Sequence, residues 1–235
     1  MKQLRFFLLT ASFMMFCVTM TAQDFVRTID GKNYWADLKT DNIDGLEEIA
    51  VQDGRRLVRI PVSSVLLIEY MESGLKVLQP DKLQKIPPVA FNDDLESFLG
   101  KGKHVYIPFA NTVLAQRSGA KHLRELIAES GYWEIVGCDE EADFILEYVF
   151  DDKGKDHAYF IISDRMGNNI LSAPKVGASD WIPEDAGKES ADKMYKRHIK
   201  NILTDKFNNK YIKKNIQKQK KGTEKNHNCL YLFRI

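Results

Sequence analysis

The side chains in this sequence that could carry chemistry are one cysteine, a few histidines and two groups of carboxylates. Cys138 ends a predicted strand, where a thiol nucleophile could stand, and His104 and His157 lie on other predicted strands from which a base could approach it. Acidic residues follow Cys138 directly, and they do not favour a thiolate, so a buried structural cysteine is the preferred interpretation. A serine nucleophile of the G-x-S-x-G type is not present in the sequence. We therefore predict no catalytic residue.

The carboxylates and histidines lack the spacing of a metal site. One acidic group spans residues 139–143 and another spans residues 151–156, but neither has the spacing of a calcium-binding EF-hand loop. His104, His122 and His157 include no pair separated by four residues. We predict no metal and no cofactor. The alternative is a small periplasmic hydrolase or glycan-processing enzyme whose carboxylate pair, about 5–10 Å apart, is not visible in the spacing.

Charge is distributed unevenly along the chain. Residues 24–192 contain 31 Asp and Glu against 19 Lys and Arg, whereas residues 193–235 contain 2 against 13. Such asymmetry indicates either two surfaces with different partners or attraction between the acidic body and its own basic end. The basic segment predicts an interaction surface for an envelope protein or an anionic membrane surface, and not for nucleic acid. Its residues are Lys193, Lys196, Arg197, Lys200, Lys206, Lys210, Lys213 and Lys214.

Residues 1–23 have the pattern of an export signal. Lys2 and Arg5 precede an apolar run over residues 6–18, which is shorter than the ~20 residues of a membrane-spanning helix. We expect cleavage after this segment, with an uncleaved anchor as the alternative. An aromatic residue precedes Cys17, whereas lipidation needs a small one, so no lipoprotein is predicted. The predicted location is the periplasm or the inner face of the outer membrane.

Residues 24–79 are predicted to form a small all-β barrel. Asp30-Gly31 and Asp53-Gly54 are strong hairpin signals between short strand patterns. Five or six strands of this size do not form a stable flat sheet, and closure into a barrel would remove the exposed edges. Prolines at 80, 87 and 88 indicate a linker over residues 80–100.

Residues 101–212 are predicted to form an α/β sandwich domain with the order β-α-β-β-β-α, giving an α+β protein overall. Ser118 is the expected N-cap of a helix that ends before Gly131. The strands are expected at 103–110, 132–137, 143–150, 157–164 and 169–176, with Tyr159, Ile161 and Ser163 on the apolar face shared with Phe144, Leu146, Tyr148 and Phe150. A long C-terminal amphipathic helix has an apolar stripe of Met194, Tyr195, His198, Ile199, Ile202, Leu203, Phe207 and Tyr211. Residues 213–235 are expected to be a disordered basic tail.

Two resemblances follow from these patterns. The D-G hairpin at 30–31, "I-P-V-S-S-V" at 60–65 and "I-E-Y" at 68–70 resemble a small SH3/Sm-like β module of envelope proteins from Gram-negative anaerobes. "V-Y-I-P-F-A-N", "S-G-Y-W-E-I-V" and "E-A-D-F-I-L-E-Y" are similar to the anticodon-binding-like domains of the Tol-system propeller protein and curli secretion-channel relatives. Both resemblances imply a docking or assembly role and no catalysis. The sequence therefore predicts a non-enzymatic exported protein that binds another envelope protein or surface.

Overall fold

The computed structural model describes residues 23–38, 43–53, 56–71, 73–92, 94–108, 113–151, 157–179 and 182–204. Over these residues the chain forms two β-sheets together with helices, so the predicted α+β class is confirmed at that level. The predicted export signal lies outside the described residues except for Gln23, and the predicted basic tail lies wholly outside them. Among the described helices, none has the length and hydropathy required to cross a bilayer.

The first sheet contains six antiparallel strands in the order β4-β3-β2-β1-β5-β6. The β1–β2 turn contains Gly31 at φ 82°, a conformation that glycine adopts without steric cost, which confirms this predicted hairpin. Strands β3 and β4 pair antiparallel around the second predicted turn, of which residues 54–55 lie outside the described part. The strands are β1 (Asp24–Thr28), β2 (Asn33–Ala36), β3 (Glu48–Asp53), β4 (Arg56–Pro61), β5 (Val65–Tyr70) and β6 (Gly74–Val77).

The predicted barrel is wrong, because β4 and β6 end the strand order and do not pair with each other in the described residues. The prediction assumed that the strands stand alone, but strands β1 and β5 are buried on both faces. Val26 and Ile68 contribute to a core on one face. On the other face Phe25 and Leu67 pack against Cys138 of the second half of the chain. The second half therefore covers one face of β1 and β5, so burial of that face does not depend on closure of the sheet.

The segment predicted as a linker contacts the second half of the chain along its length. The amide of Ile86 donates to the carbonyl of Glu140 over 2.9 Å. Further on, Asp94 accepts from the amide of Ser97 over 3.3 Å and begins a short helix, α1 (Leu95–Leu99), whose apolar side chains belong to the second core. The division of the chain into two domains by residues 80–100 stays a prediction. The parts of the chain before and after these residues share a buried interface.

The second sheet has the order β11-β10-β9-β7-β8, with β12 also paired to β10. Strand β7 is parallel to both β8 and β9, and the remaining neighbours are antiparallel. A strand and a helix come first and a final helix follows the strands, as predicted, but the described residues form five strands between the helices where the predicted order β-α-β-β-β-α has three, and the strand expected at 169–176 is divided into β11 and β12. The elements are β7 (His104–Tyr106), α2 (Leu114–Ser130), β8 (Glu134–Val136), β9 (Phe144–Asp151), β10 (His157–Ser163), β11 (Asn169–Ser172), β12 (Val176–Gly177), α3 (Pro183–Met194), a π-helical turn (Tyr195–Ile199) and α4 (Lys200–Leu203).

Helices α2 and α3 pack closely because small residues line their contact. A β-carbon added at Gly187 would lie 2.1 Å from the carbonyl oxygen of Ala115, so only glycine fits there. Ser118 is buried within α2 and donates to the carbonyl of Glu184 over 2.6 Å, so its predicted N-cap role is wrong. The predicted C-terminal stop is confirmed, since Gly131 adopts φ 60° directly after the helix.

The prediction of which side chains of β10 face the core is also wrong, because it is shifted by one residue. Strands β9 and β10 pair with Tyr148 opposite Phe160, so Ala158, Phe160 and Ile162 share the buried face of β9. Tyr159, Ile161 and Ser163 lie on the opposite, partly exposed face. A shift of one residue in a strand reverses every side chain, and the alternation within β10 alone does not fix which set faces the core.

Candidate interaction surface and the charged centres behind it

The final helical segment presents three basic side chains to solvent. Its apolar residues Met194, Ile199, Ile202 and Leu203 are buried in the second core, and Tyr195 and His198 are partly buried, as the predicted stripe requires. Helical geometry then directs the opposite side outward, where Lys196, Arg197 and Lys200 are exposed. We call these three residues the basic face. The stripe residues Phe207 and Tyr211 lie outside the described part of the chain.

The other predicted surface residues divide into two groups. Lys193 is half-buried, forms an ion pair with Glu189 at 2.6 Å and donates to the carbonyl of Gly177 over 2.9 Å, so it is committed to intramolecular contacts. The remaining predicted positions, Lys206, Lys210, Lys213 and Lys214, lie outside the described residues. The large exposed apolar side chains that the structure describes lie outside residues 183–204. The basic face is therefore characterised by exposed positive charge and not by exposed apolar side chains.

A histidine and an aspartate connect the basic face to helix α2. The Nε2 atom of His122 lies 3.1 Å from Oδ1 of Asp192 on α3, and its Nδ1 lies 3.5 Å from Oε2 of Glu125 one turn along α2. The second oxygen of Asp192 pairs with Lys196 at 2.8 Å. The contact with Glu125 and then that with Asp192 raise the pKa of His122 against the opposing effect of burial. Hydrogen bonding from Lys196 lowers the pKa of Asp192, and the contact with His122 adds to this.

A second histidine lies between two carboxylates at one edge of the second sheet. Strands β7, β8 and β9 are parallel, so their amino ends meet and bring together His104, Glu134 and Asp143. His104 Nδ1 lies 3.3 Å from Asp143, and its Nε2 lies 3.4 Å from Glu134. Lys103 pairs with Asp143 at 3.2 Å. Burial disfavours ionisation of Asp143, but hydrogen bonds from the amide of His104 and from Lys103 outweigh it and lower the pKa of Asp143.

Two arginines join the first sheet to the second half of the chain. Arg124 of α2 pairs with Glu69 of β5 at 2.6 Å, with side chains only 2% and 4% exposed. Tyr106 donates to the same carboxylate over 3.3 Å, and burial followed by the charge of Glu69 raises the pKa of this tyrosine. Arg27 of β1 lies 3.3 Å from Glu141, which is equally buried. Because these charged groups pair with one another in the buried contact between the first sheet and the second half of the chain, we interpret them as structural.

The thiol that was considered as a nucleophile is buried. Cys138 is 1% exposed and packs with Phe25, Leu66 and Leu67. Burial raises its pKa to about 11, so the thiol is protonated near neutral pH. Cys229, the other cysteine after residue 23, lies outside the described residues. Among the described residues, no group of three His, Cys, Asp or Glu side chains is arranged to hold a metal ion.

A shallow groove of about 390 Å³ lies at the side of the first sheet, away from the centres above. It is widely open, and apolar and uncharged polar side chains make up most of its wall. Its acidic residue, Asp44, lies 3.4 Å from Lys76. The lining residues are Ile43, Asp44, Gly45, Leu46, Val62, Ser63, Leu78 and Gln79. The groove contains no pair of carboxylates of the kind that a glycan-processing enzyme requires.

Comparison with protein-family models, curated proteins and solved structures found no match to this chain. The two resemblances described above therefore remain predictions. The contacts of His122 with Asp192 and of Arg124 with Glu69 join residues 70 and 55 positions apart, and the sequence contains no local signal for either. The basic face, by contrast, follows from charge and helical spacing.

Proposed function

We propose that the protein is a non-enzymatic, exported component of the cell envelope, with an assembly or adaptor role, and that its basic face binds the anionic surface of a membrane. The export pattern of residues 1–23 supports the location. The observation that carries the proposal is the exposure of Lys196, Arg197 and Lys200 on a helix whose other side is fixed in the core. The sequence continues this charge, since residues 193–235 contain 13 basic and 2 acidic side chains.

An anionic lipid surface suits this face better than another envelope protein does, although both belong to the original prediction. The central part of a protein–protein interface is apolar and depleted of charge. Residues 183–204 present no large exposed apolar side chain. Lipid head groups, in contrast, attract clustered lysines and arginines without requiring a complementary pocket, at about 1 kcal/mol for each residue near the surface.

The fold supports this role by holding the helix in place. The apolar stripe of the final helical segment is buried together with residues of β9 and β10. The close contact at Gly187 fixes α3 against α2. The basic side chains are therefore presented from a supported helix. The apolar stripe is already occupied by the protein core, so the described part of the helix binds by charge and does not insert its apolar face into the bilayer.

The test is flotation of the mature chain, residues 24–235, with phosphatidylcholine vesicles that contain phosphatidylglycerol. The variant Lys196→Glu/Arg197→Glu/Lys200→Glu removes the basic face. We expect it to weaken vesicle binding by about a hundredfold or more, since three attractive charges become repulsive. Added salt should weaken binding of the wild-type protein because it screens surface charge.

The matched control reverses three exposed lysines elsewhere, in Lys82→Glu/Lys85→Glu/Lys101→Glu. This variant has the same net charge as the first, so a general effect of charge would weaken both equally. We expect the control to bind more than tenfold better than the basic-face variant. Equal binding by the two variants, or binding of the wild type to pure phosphatidylcholine, would contradict the proposal.

A further inference from the structure

The carboxylate of Asp192 is shared between a titratable group and the basic face. One of its oxygens lies 3.1 Å from Nε2 of His122, and the other lies 2.8 Å from Nζ of Lys196. The side chains of His122 and Asp192 are 28% and 37% exposed, so both are partly shielded from water but accessible to protons. A single carboxylate, that of Asp192, therefore contacts both the titratable His122 and Lys196 of the basic face.

The charges around His122 come from both helices that pack at this point. Glu125 of α2 lies 3.5 Å from Nδ1, and Asp192 of α3 faces it together with Lys196 of the π-helical turn. Lys121 precedes His122 on α2. Burial lowers the pKa of Lys121, whereas the charge of Glu125 raises it; of the α3 residues, Lys188 lowers it and Glu184 raises it. Protonation of His122 adds one positive charge to this group of side chains, and loss of the proton makes the group one charge more negative beside the basic face.

We propose that His122 makes binding by the basic face dependent on pH, so that the protein binds anionic lipid more tightly when His122 is protonated. This inference rests on the proposed function and adds its regulation. The group is one charge more negative when His122 is neutral, which weakens the attraction of Lys196 and its neighbours to a negatively charged surface, and protonation of His122 restores that attraction. The electrostatic effect of the proton on His122 therefore acts directly beside Lys196 of the basic face.

The direction and range of the effect follow from the surroundings of His122. Contacts with two carboxylates raise its pKa above the ordinary value of 6.5, so the transition occurs above that pH. Binding is strongest below it and weakens as the pH rises through the raised pKa. Asp192 has a lowered pKa and stays ionised throughout this range. The phosphodiester of phosphatidylglycerol also keeps its charge there, so the lipid does not contribute to the change.

The experiment measures binding of the mature chain, residues 24–235, to the same phosphatidylglycerol-containing vesicles at about pH 6 and about pH 8.5, which bracket the ionisation of a histidine with a raised pKa. We expect the wild-type protein to bind about fivefold more tightly at the lower pH, the effect of one charge near an anionic surface. The variant His122→Gln removes the titrating group and should show less than a twofold difference between the two conditions.

The control variant is His198→Gln, because His198 lies beside Arg197 in the π-helical turn. Burial and then the charge of Arg197 lower the pKa of His198, so this residue gains a proton less readily than His122 does over the range tested, and the variant should keep most of the fivefold dependence. Loss of the dependence in His198→Gln, or its retention in His122→Gln, would overturn the inference. Binding that does not vary with pH would overturn the inference alone, whereas a wild-type protein that binds at neither pH would overturn the proposed function as well.

Discussion

Charged side chains have opposite roles in two regions of this molecule. At the contact between the first sheet and α2, Arg124 and Glu69 are almost completely buried and join two parts of the chain. On the final helix, Lys196 and its partner Asp192 are 68% and 37% exposed. Both are ion pairs of similar length, at 2.6 and 2.8 Å. Their burial determines whether the charge serves the fold or is available to a partner.

The energetic consequences of the two environments differ. Removing one member of a buried pair leaves an uncompensated charge in a medium that solvates it poorly. An exposed pair is screened by water and salt and contributes about 0–1 kcal/mol. Variants of the interface should therefore affect stability, and variants of the final helix should affect binding.

The largest effect is expected at the buried pair. Arg124→Met should lower the free energy of unfolding by about 3–5 kcal/mol, because Glu69 is left charged and buried. Chemical denaturation measures this loss. The double variant Arg124→Met/Glu69→Gln should lose less than the sum of the two single variants, since the remaining charge is also removed. Strict additivity would show that the pair is not coupled.

The next effect is expected at the closest contact between α2 and α3. Gly187→Ala places a β-carbon against the backbone of Ala115, and we expect a net loss of about 1–3 kcal/mol in stability despite the better helix propensity of alanine. The partly exposed neighbour provides the control, because Lys188→Ala should cost only about 0.3–0.5 kcal/mol. Thermal unfolding of both variants should separate them, and equal melting temperatures would contradict the packing argument.

A smaller effect is expected from His122, and it should depend on pH. A raised pKa in the folded state means that protonation stabilises the fold, so this contribution is complete below about pH 6.5 and disappears as the pH rises through the folded-state pKa. His122→Gln should lose at most about 1 kcal/mol relative to the wild type at acidic pH and less at alkaline pH. Denaturation at both pH values tests the sign. A larger loss at alkaline pH would contradict the contacts with Glu125 and Asp192.

The smallest effect on stability is expected from the basic face. The glutamate variant at Lys196, Arg197 and Lys200 should unfold within about 1 kcal/mol of the wild-type protein, because the three side chains are exposed and only weak pairs are lost. Its circular dichroism and melting curve should match those of the control at Lys82, Lys85 and Lys101. A strongly destabilised variant would mean that this region is structural and not a binding surface.

Features that depend on neighbouring residues could be predicted from the sequence. The turn at Gly31, the helix end at Gly131 and the part of the apolar stripe at residues 194–203 follow from backbone preference and helical spacing, and the structure contains each of them. The succession of a strand, a helix and then further strands in the second half follows from the same local signals.

Features that depend on distant parts of the chain could not be predicted. Ser118 has the chemistry of a cap, but its actual partner lies 66 residues away on α3. The barrel was expected because the sequence contains no signal that the second half of the chain covers one face of the first sheet. The link from His122 to Asp192 also requires α2 and α3 to be adjacent. The basic face was visible in advance since charge and helical period are both local.

The most direct test of the central claim is lysine footprinting of the wild-type chain with and without phosphatidylglycerol vesicles, using acetylation followed by mass spectrometry. The account predicts that Lys196 and Lys200 become protected on binding, while Lys82, Lys85 and Lys101 keep their reactivity. Protection of the control lysines with continued labelling of Lys196 and Lys200 would place the binding surface elsewhere and contradict the account.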